Sequence, residues 1–74
     1  MEIKIGDIFI LKVKTNKGTV AIVKCGTVYK CIDINLVSNH VLLQSEKRES
    51  FRRWVSLEND EYFYIVSING RDLI

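Results

Sequence analysis

Short apolar runs alternate with polar positions along this chain, and no stretch repeats its apolar residues at helical spacing long enough to predict a good helix. The runs are rich in Val, Ile, Thr, Phe and Tyr, which fit the pleated surface of a sheet. Gly, Asn, Asp and Ser separate them. The pattern predicts an all-β fold of five or six short antiparallel strands, at residues 8–15, 19–24, 28–36, 40–45, 50–55 and 62–66.

Two local predictions follow from this alternation. Residues 16–18 are expected to form a hairpin turn, because Gly18 can take a positive φ at little steric cost. In the third predicted strand, the even-numbered positions from Val28 to Leu36 carry more aliphatic side chains than the odd-numbered ones. Since alternate residues of a strand share a face, the even-numbered face is expected to lie against the core.

The order and length of the strands favour one small SH3-like barrel spanning residues 1–74. A single helical turn is expected at 56–60, before the last strand, with Ser56 as its cap. A five-stranded oligonucleotide-binding barrel is the alternative, although it usually has longer strands and a real helix. Residues 68–74 are expected to be a tail, as either a short edge strand or a disordered segment.

Composition makes self-association a reasonable expectation. The chain has 74 residues and is 47% hydrophobic, so some apolar side chains are expected to stay exposed unless a partner or a second copy covers them. Its net charge of +2 is too small to imply a polyanionic partner. The charge is unevenly spread, with six lysines against three acids in residues 1–45 and one arginine against four acids in residues 56–74.

The sequence offers little for catalysis or metal binding. Cys25 and Cys31 are five residues apart with only His40 as a further soft ligand, which is too few for a structural zinc site. No phosphate-binding glycine motif or nucleophile elbow is present. We therefore expect a non-enzyme with no cofactor and no metal. A pairing of a cysteine with His40, or a basic nucleotide pocket at a dimer interface, remains as the enzymatic or nucleotide-binding alternative.

Localisation is predicted from two absences. The N-terminus lacks the sections of a secretory signal, and no apolar run approaches the roughly 18 residues that a membrane span needs. A cytoplasmic protein with no membrane partner is expected, and its two thiols would then stay free and act as small hydrophobes.

A basic and aromatic run is the most suggestive candidate site. Its charged and aromatic members include Lys47, Arg48, Arg52, Arg53 and Trp54. Cations interleaved with aromatic rings are typical of single-stranded nucleic-acid binding, since guanidinium groups contact phosphates and rings stack on bases.

Strand alternation limits this nucleic-acid interpretation. Arg52 and Trp54 fall on one face of their strand, and Phe51, Arg53 and Val55 fall on the other. If Phe51 and Val55 point inward, Arg52 and Trp54 are exposed together. If Trp54 points inward, the pair does not form.

Protein recognition is the other use of these residue types. Tyr62 and Tyr64 join Arg52, Arg53 and Trp54 as residues of the kinds enriched at the energetic centres of interfaces. A small sheet with several aromatics and an apolar surplus is suited to binding a groove, a sheet edge or its own copy.

The second half of the chain ends on an aromatic pattern, Arg52-Arg53-Trp54-Val55-Ser56-Leu57 followed by Tyr62-Phe63-Tyr64-Ile65-Val66. Across residues 28–66 this pattern resembles the ending of many tiny proteins of bacteriophages and prophages, in which an SH3-like barrel closes on a Ser-Leu turn and an aromatic strand. The resemblance implies an origin on a mobile element and a role as an accessory binding protein.

Together these observations favour a non-catalytic phage or prophage accessory protein, acting in the bacterial cytoplasm as an inhibitor or modulator of a host protein. The alternative is a nucleic-acid-binding SH3-like module.

Overall fold

Six antiparallel strands and one helix make up the fold of residues 2–73. The computed structural model describes residues 2–73, so Met1 and Ile74 lie outside the description. In chain order the elements are β1 (Ile8–Val13), α1 (Asn16–Cys25), β2 (Val28–Asn35), β3 (His40–Ser45), β4 (Arg52–Ser56), β5 (Phe63–Ile68) and β6 (Arg71–Asp72). The strands form one sheet in the order β4-β3-β2-β1-β5-β6.

The sheet confirms the all-β prediction but not a closed barrel. The segments predicted at 28–36 and 40–45 pair as β2 and β3. Among residues 2–73, β4 and β6 are the two edges and do not pair with each other. The predicted tail, 68–74, supplies the short edge strand β6 as far as the description reaches, and Ile74 lies beyond it.

Helix α1 replaces the strand predicted at 19–24, which is wrong. Gly18, Ala21, Ile22 and Cys25 recur at intervals of three and four residues, and all four lie on the side of α1 that is buried or packed against the core. This is helical spacing. The hairpin turn predicted at 16–18 is wrong as well, because these residues form the first turn of α1. The Val and Ile content of the segment favours a strand by propensity, and packing of the helix against the core outweighs that preference.

The ends of α1 are set by local hydrogen bonds. Thr15 is extended and its side-chain oxygen accepts from the Gly18 N–H at 3.5 Å, as an N-cap residue does. Gly26 has φ of 78° and donates its N–H to the Ile22 carbonyl at 2.7 Å. A residue with a side chain would be strained at that φ, so glycine ends the helix cleanly.

In the first half of β2 the buried face is the odd-numbered one, so the even-numbered prediction is wrong there. Tyr29 and Cys31 are fully buried, whereas Val28 is exposed. A register shift between Cys31 and Asp33 then moves Ile34 onto the core. A bulge adds one residue and reverses the side-chain alternation. A strict period of two therefore assigned the wrong face to the first half of the strand.

The core lies between the inner face of the sheet and α1. Its members are Phe9, Leu11, Cys25, Tyr29, Cys31, Val41, Leu43, Val55, Phe63 and Ile68. Both cysteines are free and buried, as expected, and burial raises the pKa of the Cys31 thiol. Burial also raises the pKa of Tyr29 to about 12, and no protein group described here bonds its hydroxyl.

The segment at 56–60 is a turn and not a helix. Ser56 still acts as its cap, because the Ser56 Oγ accepts from the backbone N–H of Asn59 at 3.2 Å and of Glu58 at 3.3 Å. This turn carries the chain from the end of β4 to the start of β5.

Close approach of α1 to the start of β5 requires Gly18. A Cβ placed on this residue would lie 2.5 Å from the Tyr62 carbonyl oxygen and 3.3 Å from the Phe63 ring. The first contact is with backbone, which cannot rotate away. Gly18 is thus a contact residue within the helix.

We expect Gly18→Ala to lower the free energy of unfolding by about 1–3 kcal/mol, because overpacking outweighs the gain in helix propensity. Urea unfolding followed by circular dichroism measures this. Val23→Ala is the matched control, since Val23 is exposed on the same helix and its truncation should change stability by less than about 0.5 kcal/mol. A Gly18→Ala protein as stable as the wild type would contradict the close contact.

Candidate binding surface

Strand β4 lies at one edge of the sheet and pairs with β3 alone. Phe51 and Leu57 are the odd-numbered residues that flank β4, and both form backbone hydrogen bonds toward β3. Ser45 N donates to Phe51 O at 3.1 Å, and Leu57 N donates to Asn39 O at 2.9 Å. Hydrogen bonding alternates along an antiparallel pair. The even-numbered residues of β4 therefore direct their backbone N–H and C=O groups away from β3.

Two of these even-numbered residues form the free edge. Ser56 donates its outward N–H to Asp60 Oδ1 at 3.0 Å, so that end of the strand is satisfied. Arg52 and Trp54 have no second strand beside them within residues 2–73. Unpaired N–H and C=O groups along an edge are a template for a further extended segment.

The side chains of β4 alternate so that Phe51 and Val55 face the core while Arg52 and Trp54 are exposed together. Val55 is buried and Phe51 packs against the core. Arg52 is exposed, and Trp54 is 42% exposed. The two residues that carry free backbone groups thus also present their side chains to solvent.

An outer face continues from Arg52 and Trp54 across the neighbouring strands. In the register, Arg52 is opposite Gln44, which is opposite Lys30, while Trp54 is opposite Leu42. Cross-strand partners share a face of the sheet. We define the outer face by Ile8, Ile10, Val28, Lys30, Leu42, Gln44, Arg52 and Trp54. It combines apolar side chains with two cations, and Asp33, opposite Leu42, adds one exposed carboxylate.

Arg53 points the other way and has a structural partner. Its Nη1 donates to Asp60 Oδ2 at 3.0 Å, and this is the only salt bridge within residues 2–73. Its guanidinium carbon lies 4.7 Å from the centre of the Tyr62 ring and 5.2 Å from that of Phe63. Arg53 is therefore engaged within the fold, apart from the Arg52 and Trp54 surface.

Asp60 is the partner that sequence reasoning missed. Besides Arg53, its side chain accepts from the backbone N–H of Ser56, of Tyr62 at 2.9 Å and of Phe63 at 3.0 Å. Burial by itself raises the pKa of this carboxyl. The backbone donors and the Arg53 charge outweigh burial, so the pKa of Asp60 is held below its ordinary value. In the sequence Asp60 is one of several acids in an acidic segment.

The depressed pKa of Asp60 predicts an acid-sensitive fold. A carboxylate whose folded pKa is lowered contributes stability above its unfolded pKa, near 3.8, and loses it as pH falls through the folded pKa. We expect Asp60→Asn to cost about 2 kcal/mol at neutral pH, the scale of hydrogen bonds to a charged group, and to flatten the loss of stability below pH 3.8.

Urea unfolding at a series of pH values measures both effects. Glu58→Gln is the control, because Glu58 is an exposed carboxylate of the same turn. It should match the wild type in stability and in acid response. An Asp60→Asn variant with wild-type stability would show that the carboxylate does not hold the turn.

The remaining candidate residues do not join this surface. Tyr62 is half-buried, with the Lys17 Nζ 5.5 Å from its ring centre. Tyr64 is 46% exposed on β5, opposite Lys12, and three strands lie between β5 and β4. The Lys14 Nζ is 5.1 Å from its ring centre. Lys47 and Arg48 are exposed in the loop between β3 and β4.

A groove beside the start of β4 was also not predicted. Lys17 and Lys24 of α1 line one wall, and Arg48 and Phe51 line the other. Because this stretch of sequence was read as a turn and a strand, the two lysines were not placed on one wall. The seven-residue interval between them, two helical turns, is the signal that would have found them.

The described residues contain neither a candidate metal site nor a helix that could span a membrane. No group of three or more metal-ligating side chains occurs among residues 2–73. His40 makes an ordinary hydrogen bond, with its Nδ1 2.7 Å from the Ser38 carbonyl oxygen. In the described part of the chain, no helix has the length and apolar character to span a bilayer.

Comparison of the chain with protein-family models, curated proteins and solved structures found no match.

Proposed function

We propose that this chain is a non-catalytic accessory protein of a bacteriophage or prophage that binds a protein of its bacterial host in the cytoplasm and modulates or inhibits it. The bound segment adds to the free edge of β4 as a further strand, and its side chains contact Trp54 and the adjoining outer face. The mobile-element origin rests on the resemblance of residues 28–66 to small phage proteins.

One observation carries the binding proposal. At Arg52 and Trp54, unpaired backbone groups and an exposed large aromatic side chain coincide on one edge strand. Strand addition uses main-chain hydrogen bonds for affinity and alternate side chains for specificity. Trp and Arg are the residue types that most often dominate interface energies.

The strand order also supports a finer description of the fold. Strands β1 to β4 follow one another as a meander, β5 returns beside β1, and a turn precedes β5. We infer that the sheet is an opened SH3-like arrangement, in which the β4 edge is available to another chain.

Trp54→Ala should reduce retention of the host protein on the immobilised chain at least about tenfold, the usual loss at the centre of an interface. Quantitative mass spectrometry of proteins captured from host lysate measures it. Tyr64→Ala is the matched control, because Tyr64 is similarly exposed and three strands lie between its strand and β4. Equal capture by all three proteins would remove Trp54 from the binding site.

A proline variant separates edge pairing from ordinary side-chain contact. Arg52→Pro removes an outward N–H, a change that edge strands tolerate, and should weaken capture more than Arg52→Ala does. If wild-type chain sediments as a dimer and Trp54→Ala as a monomer, with no host protein captured, the free edge serves a homodimer.

Nucleic-acid binding is the second candidate, favoured by the exposure of Trp54 together with Arg52 and Lys30 on the outer face. Under our proposal, adding a single-stranded oligothymidylate at low salt leaves the fluorescence of Trp54, the only tryptophan, unchanged. Quenching that weakens with salt and disappears in Arg52→Ala would instead establish stacking on nucleic acid.

A further inference from the structure

A groove of about 310 Å³ separates α1 from the loop that leads into β4. Five residues of α1 line it; one is Cys25, and the other four are Lys17, Val20, Ala21 and Lys24. Their intervals of three, one and three residues place them on one face of the helix. The groove therefore has an apolar centre with a lysine at each end of one wall.

The opposite wall repeats this arrangement of charge and apolar surface. Arg48 and Phe51 lie on it, and Phe51 also packs against the core, 6.3 Å from the Tyr29 ring in edge contact. Val20 is 56% exposed on the facing helix. An apolar side chain placed between Val20 and Phe51 would lose water contact on both sides.

The residues that line this groove include cations and no carboxylate, unlike those of two other clefts. Within residues 2–73, no salt bridge involves Lys17, Lys24 or Arg48. The Lys17 Nζ lies 3.5 Å from the Tyr62 hydroxyl, which leaves its charge unpaired by an acid. The cleft around Lys14 also contains Glu58 and Asp60.

The third cleft is balanced as well. Its lining contains Lys4 and Arg71 together with the acids Glu2 and Asp7. Of these three clefts in residues 2–73, the groove beside α1 is the one lined by cations without acids, so its complement is an anionic ligand.

The spacing of the cations sets the size of that ligand. Lys17 and Lys24 are seven residues apart, a rise of about 10 Å along a helix. An extended peptide covers that distance in about three residues, and the reach of the lysine stems allows four. Two carboxylates at that interval would meet the two lysines, with an apolar side chain between them over Val20 and Phe51.

The geometry points to an acidic peptide segment of a protein partner as the occupant of this groove, bound extended with an apolar residue between two carboxylates. The apolar centre favours a peptide over a nucleic acid, whose phosphates would have no counterpart between the lysines. This site is separate from Trp54 and the outer face, so it stands independently of the function proposed above.

The test uses a blocked five-residue peptide, glutamate-alanine-leucine-alanine-glutamate, added to the full-length ¹⁵N-labelled chain. We expect amide shifts confined to α1 and residues 48–51, with a dissociation constant on the order of 0.1–1 mM. The double variant Lys17→Gln and Lys24→Gln should weaken binding about fivefold or more, the scale of two exposed ion pairs. Raising the salt concentration should also weaken it.

Matched controls separate groove binding from general attraction to a basic protein. Lys12→Gln with Lys30→Gln removes two exposed lysines elsewhere and should leave binding unchanged. Trp54→Ala should also bind normally. Peptides with glutamine for glutamate, or with alanine for leucine, should bind more weakly than the parent.

Three outcomes would overturn the proposal. The first is no shift at millimolar peptide. The second is shifts on β4 that are lost in Trp54→Ala and retained in the groove-lysine variant. The third is tighter binding of a single-stranded oligonucleotide than of the peptide in the same groove, which would show that the cations bind phosphate groups.

Discussion

The rest of the structure depends on the buried carboxylate of Asp60. It accepts three backbone N–H groups and the Arg53 guanidinium, and so joins the end of β4 to the start of β5. Strands β4 and β5 do not exchange ladder hydrogen bonds. In a closed barrel, backbone pairing would hold two such strands together. Here one acid, one arginine and the Tyr62 and Phe63 rings beneath that arginine supply the link, and the sheet stays open.

An open sheet leaves β4 as an edge, and the residues on that edge reflect two opposing requirements. Free N–H and C=O groups invite pairing with any extended chain, which is a hazard for a small protein. Arg52 puts a cation on the edge, and charged residues there discourage indiscriminate pairing. Trp54 favours pairing, because burying its exposed indole against a matching apolar surface stabilises the contact. The combination selects among partners, since only a segment that satisfies both side chains gains from the free backbone groups.

The sequence alone predicts the structure correctly where apolar and polar residues alternate regularly. It fails where a single residue, such as the extra residue of a bulge, interrupts that alternation. The strands β2 and β3 and the joint exposure of Arg52 and Trp54 follow from a period of two. The bulge between Cys31 and Asp33 interrupts this alternation. The bulge arises from the pairing of β2 with β3, which the local sequence of β2 does not show. Helix α1 was missed because Val and Ile content favours strand on propensity, whereas packing of Gly18 against Tyr62 selects helix. The role of Asp60 arises only from contacts made after folding.

The position of α1 connects the open sheet with the groove. The Tyr62 ring lies near both Lys17 of the helix and Arg53 of β4, so its contacts with the two cations link α1 to the edge strand. Since Gly18 brings α1 directly onto the backbone of Tyr62, the helix approaches closely at its start. At its other end the Ser45 hydroxyl donates to the Cys25 carbonyl, which ties the helix to β3. Between these two fixed ends the helix and the β3–β4 loop face each other without a filling side chain. The groove therefore lies between a helix fixed at both ends and a loop, and Lys17, Lys24 and Arg48 line it without a carboxylate among the lining residues.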